Sequence, residues 1–306
     1  MKAMRLIATG ERLRMHHLDD PSPRAGEVVV DIRAAGMCHS DAHYRAGRGS
    51  VRLPLTLGHE IAGVVSAIGD GVSSVHRGDR VAIHYLANAD MIGKERDGGY
   101  AEKIVVPAAN AVPIPDTIPF DQAAIMMCST ATVYHALRLA GFQRGESVAI
   151  LGFGGLGFSA LQVARKLGAG RIIAVDAVPS KLELARSLGA EVGGELMDID
   201  VALELSGHAP LCLEALRALA PGGRLMLVAI NLRSLTIDPY ADVLCRERRI
   251  IGCSDHTLEE LQELMRMDLD LSGAITRRIP LEEGAINDVL DDLDRGTSHL
   301  RTVIVG

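Results

Sequence analysis

The chain has few cysteines, no excess of positive charge and no long hydrophobic run. Its 5 cysteines are an odd number at wide spacings in 306 residues, which argues against a disulfide framework and predicts a reducing, cytoplasmic location. A formal net charge of −7 leaves no basic surface for a phosphate backbone, so we expect no nucleic-acid partner. The uncharged stretch Gln122–Leu137 is too short to span a bilayer comfortably, and the amino terminus lacks the apolar core of a signal peptide. We therefore expect no membrane segment.

The hydrophobic pattern divides the chain into three regions. Apolar residues make up 48% of the sequence, which suffices for two domains with packed cores. Up to about Pro115, short Val- and Ile-rich runs are separated by Gly, Pro and Asp, a pattern typical of an antiparallel barrel or sandwich. From Glu146 onwards, strand and helix patterns alternate, which indicates a parallel sheet. We predict an α/β protein with domains at residues 1–129 and 130–256, and a tail at 257–306 that returns to the first domain.

Individual elements follow from the same patterns. The predicted strands are Glu27–Ile32, Glu60–Ile68, Arg80–Ile83, Glu102–Val106, Val148–Leu151, Arg171–Val175, Val201–Leu205, Arg224–Val228, Arg249–Gly252 and Arg301–Val305. The predicted helices are Phe120–Ala140 with a break near Cys128, Leu156–Leu167, Ser180–Leu188, Pro210–Leu219, Leu258–Met267 and Gly284–Asp294. Only about a dozen residues separate Leu188 from Val201, and a parallel crossover with its own helix needs more. We therefore predict that the third strand–helix unit is trimmed.

A glycine turn lies between the first strand of the parallel region and the helix after it. Gly152, Gly154 and Gly157, with Gly155 and Leu156 between them, have the spacing Gly-x-Gly-x-x-Gly. In this context the spacing predicts a dinucleotide site, because the glycines allow a tight turn, approach of the pyrophosphate and close helix packing. Asp176 ends the next strand, where a carboxylate accepts hydrogen bonds from ribose hydroxyls and repels a 2′-phosphate. NAD is therefore favoured over NADP, the alternative being that Asp176 is a solvated turn residue.

A second set of residues has the chemistry of a metal site. Cys38, His59 with Glu60, and Cys128 offer two thiolates and an imidazole, which suit Zn²⁺ and leave a fourth position open for a substrate oxygen. Cys38 lies in the polar cluster Cys-His-Ser-Asp-Ala-His. Burying so many hydrogen-bonding groups in an apolar core would cost free energy, so a core position is disfavoured. Taken alone, Cys128 is better explained as a small core residue than as a ligand. We assign no metal role to the other three cysteines.

Five motifs occur in order along the chain and together resemble one family. They are Cys-His-Ser-Asp-Ala-His at 38–43, Gly-His-Glu at 58–60, Gly-Asp-Arg-Val at 78–81, Gly-Gly-Tyr-Ala-Glu at 98–102 and the glycine turn. The chain resembles the zinc-dependent alcohol dehydrogenases of the medium-chain dehydrogenase/reductase superfamily over nearly its whole length. The resemblance implies a GroES-like catalytic domain followed by a Rossmann domain, and a homodimer or homotetramer. It also implies zinc-assisted hydride transfer between NAD(H) and an alcohol, aldehyde or ketone.

The resemblance also assigns roles around the metal. Cys38, His59 and Cys128 match the zinc ligands. Glu60 matches a carboxylate that approaches the metal during ligand exchange, and Asp41 matches a group that orients the histidine ligand. Ser40 and His43 match a proton relay that passes through the cofactor ribose.

The cofactor contacts are assigned in the same way. Beyond the glycine turn, they are His39 and Arg301 at the pyrophosphate, Lys181 beside Asp176 at the adenine ribose, and Thr132 at the nicotinamide. For His39 and Arg301, an ordinary role as surface cations remains open, as does an exposed loop position for His43.

One segment departs from the family pattern. Family members usually carry a four-cysteine lobe with a structural zinc between the Gly-Asp-Arg-Val and Gly-Gly-Tyr-Ala-Glu motifs. In this chain the segment between them, residues 82–97, contains no cysteine. We therefore expect one catalytic zinc and no structural zinc. Two other functions fit part of this pattern: a zinc-free quinone or enone reductase of the same superfamily and a non-catalytic NAD(H)-binding redox reporter. The complete ligand set argues against the first, and the Ser40–His43 pair argues against the second.

Overall fold

The computed structural model describes residues 1–87, 90–230, 233–296 and 299–306, which form two compact units. The first unit comprises Met1–Cys128, Leu261–Arg266 and Ile275–Gly306. The second comprises Ser129–Glu260 and Met267–Ala274. The tail thus contributes to both units, whereas the sequence pattern placed all of residues 257–306 with the first domain. No helix in the described ranges has the length and apolarity needed to cross a bilayer.

The strands and helices are numbered in chain order. The strands are β1 (Lys2–Leu6), β2 (Arg14–His17), β3 (Glu27–Met37), β4 (Leu55–Thr56), β5 (Glu60–Ile68), β6 (Arg80–Ile83), β7 (Leu86–Ala87), β8 (Asp90–Met91), β9 (Lys103–Pro107), β10 (Ala111–Pro113), β11 (Ser147–Leu151), β12 (Arg171–Val175), β13 (Glu191–Val192), β14 (Ile199–Glu204), β15 (Leu219–Leu227), β16 (Arg249–Gly252), β17 (Ile275–Ile279) and β18 (Arg301–Val305). The α-helices are α1 (His39–Arg45), α2 (Phe120–Ile125), α3 (Ala131–Leu139), α4 (Gly155–Leu167), α5 (Pro179–Ser187), α6 (Ala209–Ala218), α7 (Leu258–Leu264) and α8 (Glu283–Arg295).

The first unit is built around β3. Its larger sheet has the strand order β10-β6-β5-β3-β18-β17, and β9 also pairs with β3. All of these pairs are antiparallel except β17–β18, and a smaller sheet has the order β2-β1-β4. The register sets Gly36 of β3 opposite Glu60 on one side and Val303 of β18 on the other. The late strand β18 thereby lies beside residues from the first third of the chain.

The second unit contains one parallel sheet with the order β13-β12-β11-β14-β15-β16. Counted within this sheet, the order is 3-2-1-4-5-6, which is that of the doubly wound Rossmann fold. Every residue of β11 is buried, as expected for a strand with helices on both faces of its sheet. The carboxyl end of β11 leads directly into the glycine turn.

The trimmed third unit predicted from the sequence is present. β13 has only 2 residues, and the chain runs from it to β14 with no helix among residues 190–200, all of which are described. The predicted strands β5, β6, β12, β16 and β18 have the observed bounds. The strands that were not predicted are β1, β2, β4, β7, β8, β10, β13 and β17.

Candidate active site

Cys38 is held at the junction between β3 and α1. Its backbone is extended, with φ −107° and ψ 153°, and its N–H donates to Asp41 Oδ2 at 2.9 Å in the first turn of the helix. This capping arrangement satisfies one of the free N–H groups at the helix start and fixes the direction of the side chain. Ser40 Oγ lies 3.1 Å from the Cys38 sulfur. The predicted relay hydroxyl is therefore in contact with a predicted metal ligand.

Cys128 lies in a π-helical turn. The turn Met126–Thr130 joins α2 to α3, so residues 120–139 form one helical stretch with an irregularity in the middle. This is the break near Cys128 that the sequence predicted. Such turns insert one extra residue and are frequent at functional sites. Here the turn places a half-buried thiol where a regular helix would place a different residue.

Four predicted residues meet in one cluster. One ligand atom from each of Cys38, His59, Glu60 and Cys128 lies within 4.8 Å of the others. Three of the four residues are buried. Two sulfurs, an imidazole nitrogen and a carboxylate oxygen at this spacing match the donors that zinc prefers. The residues thus fit a zinc ion, and they come from three separate parts of the first unit.

The two thiols share a hydrogen bond that shifts their pKa values in opposite directions. A hydrogen bond from Cys128, with a further contribution from His59, holds the pKa of Cys38 well below its usual value despite burial. The same hydrogen bond, together with burial, raises the pKa of Cys128. The shared hydrogen bond thus favours the charged form of Cys38 and disfavours that of Cys128. A metal bound by both sulfurs would displace the remaining proton.

Asp41 and Tyr100 support the histidine ligand. His59 Nδ1 lies 3.4 Å from Asp41 Oδ1, so Nε2 is the ring nitrogen left for a metal. Burial opposes the charged form of His59, but the Asp41 carboxylate outweighs it and raises the pKa. The Tyr100 hydroxyl donates to Asp41 Oδ2 at 2.7 Å, and burial keeps it protonated by raising its pKa. The role of Tyr100 could not be predicted from the sequence, because no local spacing relates it to a residue 59 positions earlier.

Glu60 reaches across β3 to Arg301. Both side chains are buried, and Arg301 Nη2 donates to Glu60 Oε2. Gly36 permits this contact, since a Cβ there would lie 1.9 Å from Glu60 Oε2. Burial raises the pKa of Glu60 to about 7 although Arg301 works in the other direction. Among the described residues, Glu60 Oε1 has no hydrogen-bond partner, which leaves it available to a metal.

Arg301 was predicted at the pyrophosphate, and the structure places it against Glu60. Its pyrophosphate role stays a prediction. The two histidines of α1 that were assigned to the cofactor and the relay lie together, since the rings of His39 and His43 stack with centroids 4.8 Å apart. His39 is exposed and His43 is half-buried. The Arg48 Nε–H donates to His43 Nδ1 at 2.7 Å, a contact that no sequence pattern indicated.

The glycine turn has the geometry of a dinucleotide site. Gly152 has φ +101°, and a Cβ on Gly157 would lie 2.4 Å from the Gly152 carbonyl oxygen, so both positions need glycine. A Cβ on Gly154 would meet no described atom within 4 Å, which leaves room for a ligand beside the start of α4. The Asp176 carboxylate accepts from the backbone N–H of Phe153 at 2.7 Å and is thereby held beside the turn. The helix start offers its unpaired N–H groups to an anion.

Two predicted cofactor residues lie on helices of the second unit. Thr132 is half-buried in α3, and its carbonyl accepts from the Cys253 thiol at 3.8 Å. Lys181 lies in the first turn of α5. In the first unit, the shortened segment after β6 forms the small β7–β8 pair, and the Tyr85 ring packs edge-on against His59 with centroids 5.5 Å apart. An aromatic side chain therefore borders the metal cluster.

Comparison with known proteins identifies the family. Residues 24–116 match the alcohol dehydrogenase GroES-like domain. An alcohol dehydrogenase of Geobacillus stearothermophilus is 33% identical over 342 aligned positions that cover 99% of each chain. The chain belongs to the medium-chain alcohol dehydrogenase family. The alignment is longer than the 306 residues of this alcohol dehydrogenase, so the relative carries residues with no counterpart here.

Solved structures agree on the fold. A zinc-binding dehydrogenase of Sinorhizobium meliloti, bound to NADP, has a TM-score of 0.89 and 26% identity, with 100% of this chain and 99% of that chain covered. Acetophenone reductase of Geotrichum candidum, in complex with NAD, has a TM-score of 0.88 and 27% identity, with 100% and 97% covered. The first unit of this alcohol dehydrogenase is thus a GroES-like domain and the second a Rossmann domain. The two neighbours carry different nicotinamide cofactors.

Proposed function

We propose that this chain is a zinc-dependent, NAD-linked dehydrogenase that interconverts an alcohol with an aldehyde or ketone. One observation carries the proposal. The ligand atoms of Cys38, His59, Glu60 and Cys128 lie within 4.8 Å of one another, in the same chain as a complete dinucleotide turn. Three protein ligands of the sulfur and nitrogen type, with one replaceable carboxylate, describe a catalytic zinc site rather than a closed structural one.

The residues around the cluster have separate tasks. A zinc ion held by Cys38, His59 and Cys128 would supply a Lewis acid, and a nicotinamide bound by the second unit would supply the hydride acceptor or donor. Ser40 Oγ takes the hydroxyl proton of an alcohol and passes it towards His43, which exchanges it with solvent. Asp41 holds the orientation of the His59 ring. Glu60, buried against Arg301, provides a carboxylate that can enter the coordination shell when ligands exchange.

We further propose NAD rather than NADP as the cofactor. Asp176 is anchored beside the glycine turn by its hydrogen bond from Phe153, and a carboxylate at this position repels a 2′-phosphate. The ratio of kcat/KM for NAD⁺ and NADP⁺ tests this assignment. We expect NAD⁺ to be preferred by about tenfold or more, and a preference for NADP⁺ would contradict the proposal.

The expected metal content is one zinc per chain. Residues 82–97 have no cysteine, so the sequence offers no thiol set for a second, structural ion in this segment. Elemental analysis of chelator-washed protein measures the content directly. A second tightly bound zinc would contradict the expectation that this segment holds no structural ion.

The decisive experiment combines zinc content with turnover. Cys38→Ser and His59→Asn remove one ligand each, and we expect both to lose zinc and the formation of NADH from a panel of simple alcohols. Cys245→Ser is the matched control, because Cys245 is exposed and lies outside the cluster. Full activity of either ligand variant without metal would instead favour the zinc-free quinone or enone reductase. A wild-type protein that binds zinc and NADH but turns over none of the alcohols would favour the non-catalytic redox reporter.

A homodimer or homotetramer is also proposed. The strand β16 lies at the edge of the parallel sheet, and such an edge is available to pair with a second copy of the chain. Light scattering coupled to size-exclusion chromatography distinguishes the two assemblies. A monomer at micromolar concentration would contradict both.

A further inference from the structure

Arg48 occupies one nitrogen of the predicted relay histidine. Its Nε–H donates to His43 Nδ1 at 2.7 Å, and its backbone N–H donates to the His43 carbonyl at 2.9 Å. A guanidinium has only donors. Nδ1 of His43 must therefore be the acceptor, and in the neutral ring the proton lies on Nε2.

Arg48 is itself held from the far side by α8. The carboxylate of Asp294 accepts from Arg48 Nη2 and also from the buried Arg45, at 3.0 Å from Arg45 Nη2. The chain of contacts runs from Asp294 through Arg48 to His43, and all three belong to the first unit. On its other side, the His43 ring stacks on His39 with an interplanar angle of 23°. Two independent contacts therefore fix the plane and the tautomer of His43.

This arrangement restricts what the ring can do. A relay residue that receives a proton on Nε2 needs that atom unprotonated, which requires the proton on Nδ1 instead. With Arg48 in place, Nε2 is a donor and Nδ1 is covered. His43 can change tautomer only when Arg48 withdraws from Nδ1.

We propose that Arg48, anchored by Asp294, is a positioning residue of the proton relay. It holds His43 as the neutral Nε2–H tautomer, the proton-donating form that carbonyl reduction uses, and it must withdraw from Nδ1 before the ring can accept a proton in alcohol oxidation. The inference rests on the proposed function for its catalytic meaning, since it deepens the role given to His43. The nearby charged groups are His39 and Cys38 from the start of α1, Arg48 from the loop after it, and Asp294 from α8.

The charges around the ring agree with a neutral histidine. Burial, followed by His39 and Arg48, lowers the pKa of His43, while Asp294 and Cys38 act in the opposite direction. Removing Arg48 takes away one cause of the lowering and leaves the two acidic groups. The pKa of His43 is therefore expected to rise in such a variant.

The test is nitrogen NMR of the zinc-loaded protein labelled at histidine, with the His43 signals assigned by their loss in His43→Gln. At neutral pH we expect the wild-type ring to have a protonated Nε2 and an unprotonated Nδ1. In Arg48→Met, which keeps the length of the side chain but removes its donors, we expect a substantial Nδ1–H population. Arg48→Lys should restore the wild-type tautomer in part, and Asp294→Asn should give an intermediate result.

Arg12→Met is the matched control, because Arg12 pairs with Asp288 and Asp291 on the same helix and does not contact His43. It should leave the His43 signals unchanged. An Nδ1–H ring in the wild type, or an unchanged tautomer in Arg48→Met, would overturn the inference. The melting temperature of each variant shows whether the fold is retained.

A second readout tests the link to the reaction. In Arg48→Met the acidic limb of kcat/KM for alcohol oxidation should move to higher pH, with a loss of activity at the low end of the profile. The limb should not move in the Arg12 control, and an unmoved limb in Arg48→Met would overturn the relay role of Arg48. The NMR result needs no turnover. A wild-type protein with the expected tautomer but no dehydrogenase activity would therefore refute the proposed function and leave the Arg48–His43 contact standing.

Discussion

Tyr100 offers a sharp test of how the metal cluster is supported. Its ring is completely buried, and its hydroxyl is one of two donors to Asp41 Oδ2, the other being the Cys38 backbone N–H. Tyr100→Phe removes this donor and keeps the ring. Hydrogen bonds to charged groups contribute about 1.5–3 kcal/mol, so we expect the free energy of unfolding at pH 7 to fall by roughly 2 kcal/mol. For a unit of this size the melting temperature should fall by about 4–8 °C.

The same substitution should weaken zinc binding. Asp41 faces His59 Nδ1, and loss of a partner of this kind typically lowers metal affinity by about 10- to 100-fold. Competition with a chromophoric chelator measures the affinity, and thermal unfolding measures the stability. Tyr240→Phe serves as the control, since Tyr240 is 67% exposed and its change should stay within about 0.5 kcal/mol. If Tyr100→Phe matched this control in both assays, the support through Asp41 would be refuted.

Three further predictions concern other parts of the structure. Gly157→Ala should lower the melting temperature, because the new Cβ would lie 2.4 Å from the Gly152 carbonyl oxygen. Gly154→Ala should leave the melting temperature unchanged and weaken NADH binding in a fluorescence titration. Equal effects of the two variants on stability would contradict this contrast. Arg301→Met should lower the free energy of unfolding by about 1–3 kcal/mol, because the buried Glu60 carboxyl loses its partner. Adding Glu60→Gln should recover part of this loss in denaturant unfolding, and no recovery would mean that the pair is not the cause. The backbone N–H of Met15 and the guanidinium of Arg14, both in β2, donate to Glu283 and lower its pKa. Glu283 should therefore stabilise the folded state by about 0.5 kcal/mol at this partly exposed site. This stabilisation is present at neutral pH and is lost as the pH falls below about 4. The stability difference between wild type and Glu283→Gln should shrink over that range, and a difference independent of pH would argue against it.

Local patterns were enough to predict the second unit well. The strands β11 and β12 and the helix α4 have strong apolar patterns of their own, and the glycine turn between them has a spacing with a physical reason. The break near Cys128 was visible because the helical spacing itself is interrupted there. Even the trimmed third unit followed from counting residues.

Contacts between distant parts of the chain could not be predicted in this way. The strand β17 reads Ile-Thr-Arg-Arg-Ile, with two charges in succession, and it forms because β18 lies beside it. The bond from Tyr100 to Asp41 and the bond from Arg48 to His43 depend on which side chains the fold brings together. No periodicity encodes such pairs, so the supporting residues of the site emerged only from the structure.

The π-helical turn at Met126–Thr130 has a consequence for insertions and deletions. Each residue of a regular helix advances the chain by about 100°, so removing one residue between α2 and Cys128 would rotate the thiol by that angle about the helix axis. The packing of α2 on β3 and β5 would be untouched by such a deletion. The position of this metal ligand is therefore set by the number of residues in a helix as well as by the presence of a cysteine. A sequence could keep every ligand residue and still lose the site through the loss of a single neighbouring methionine.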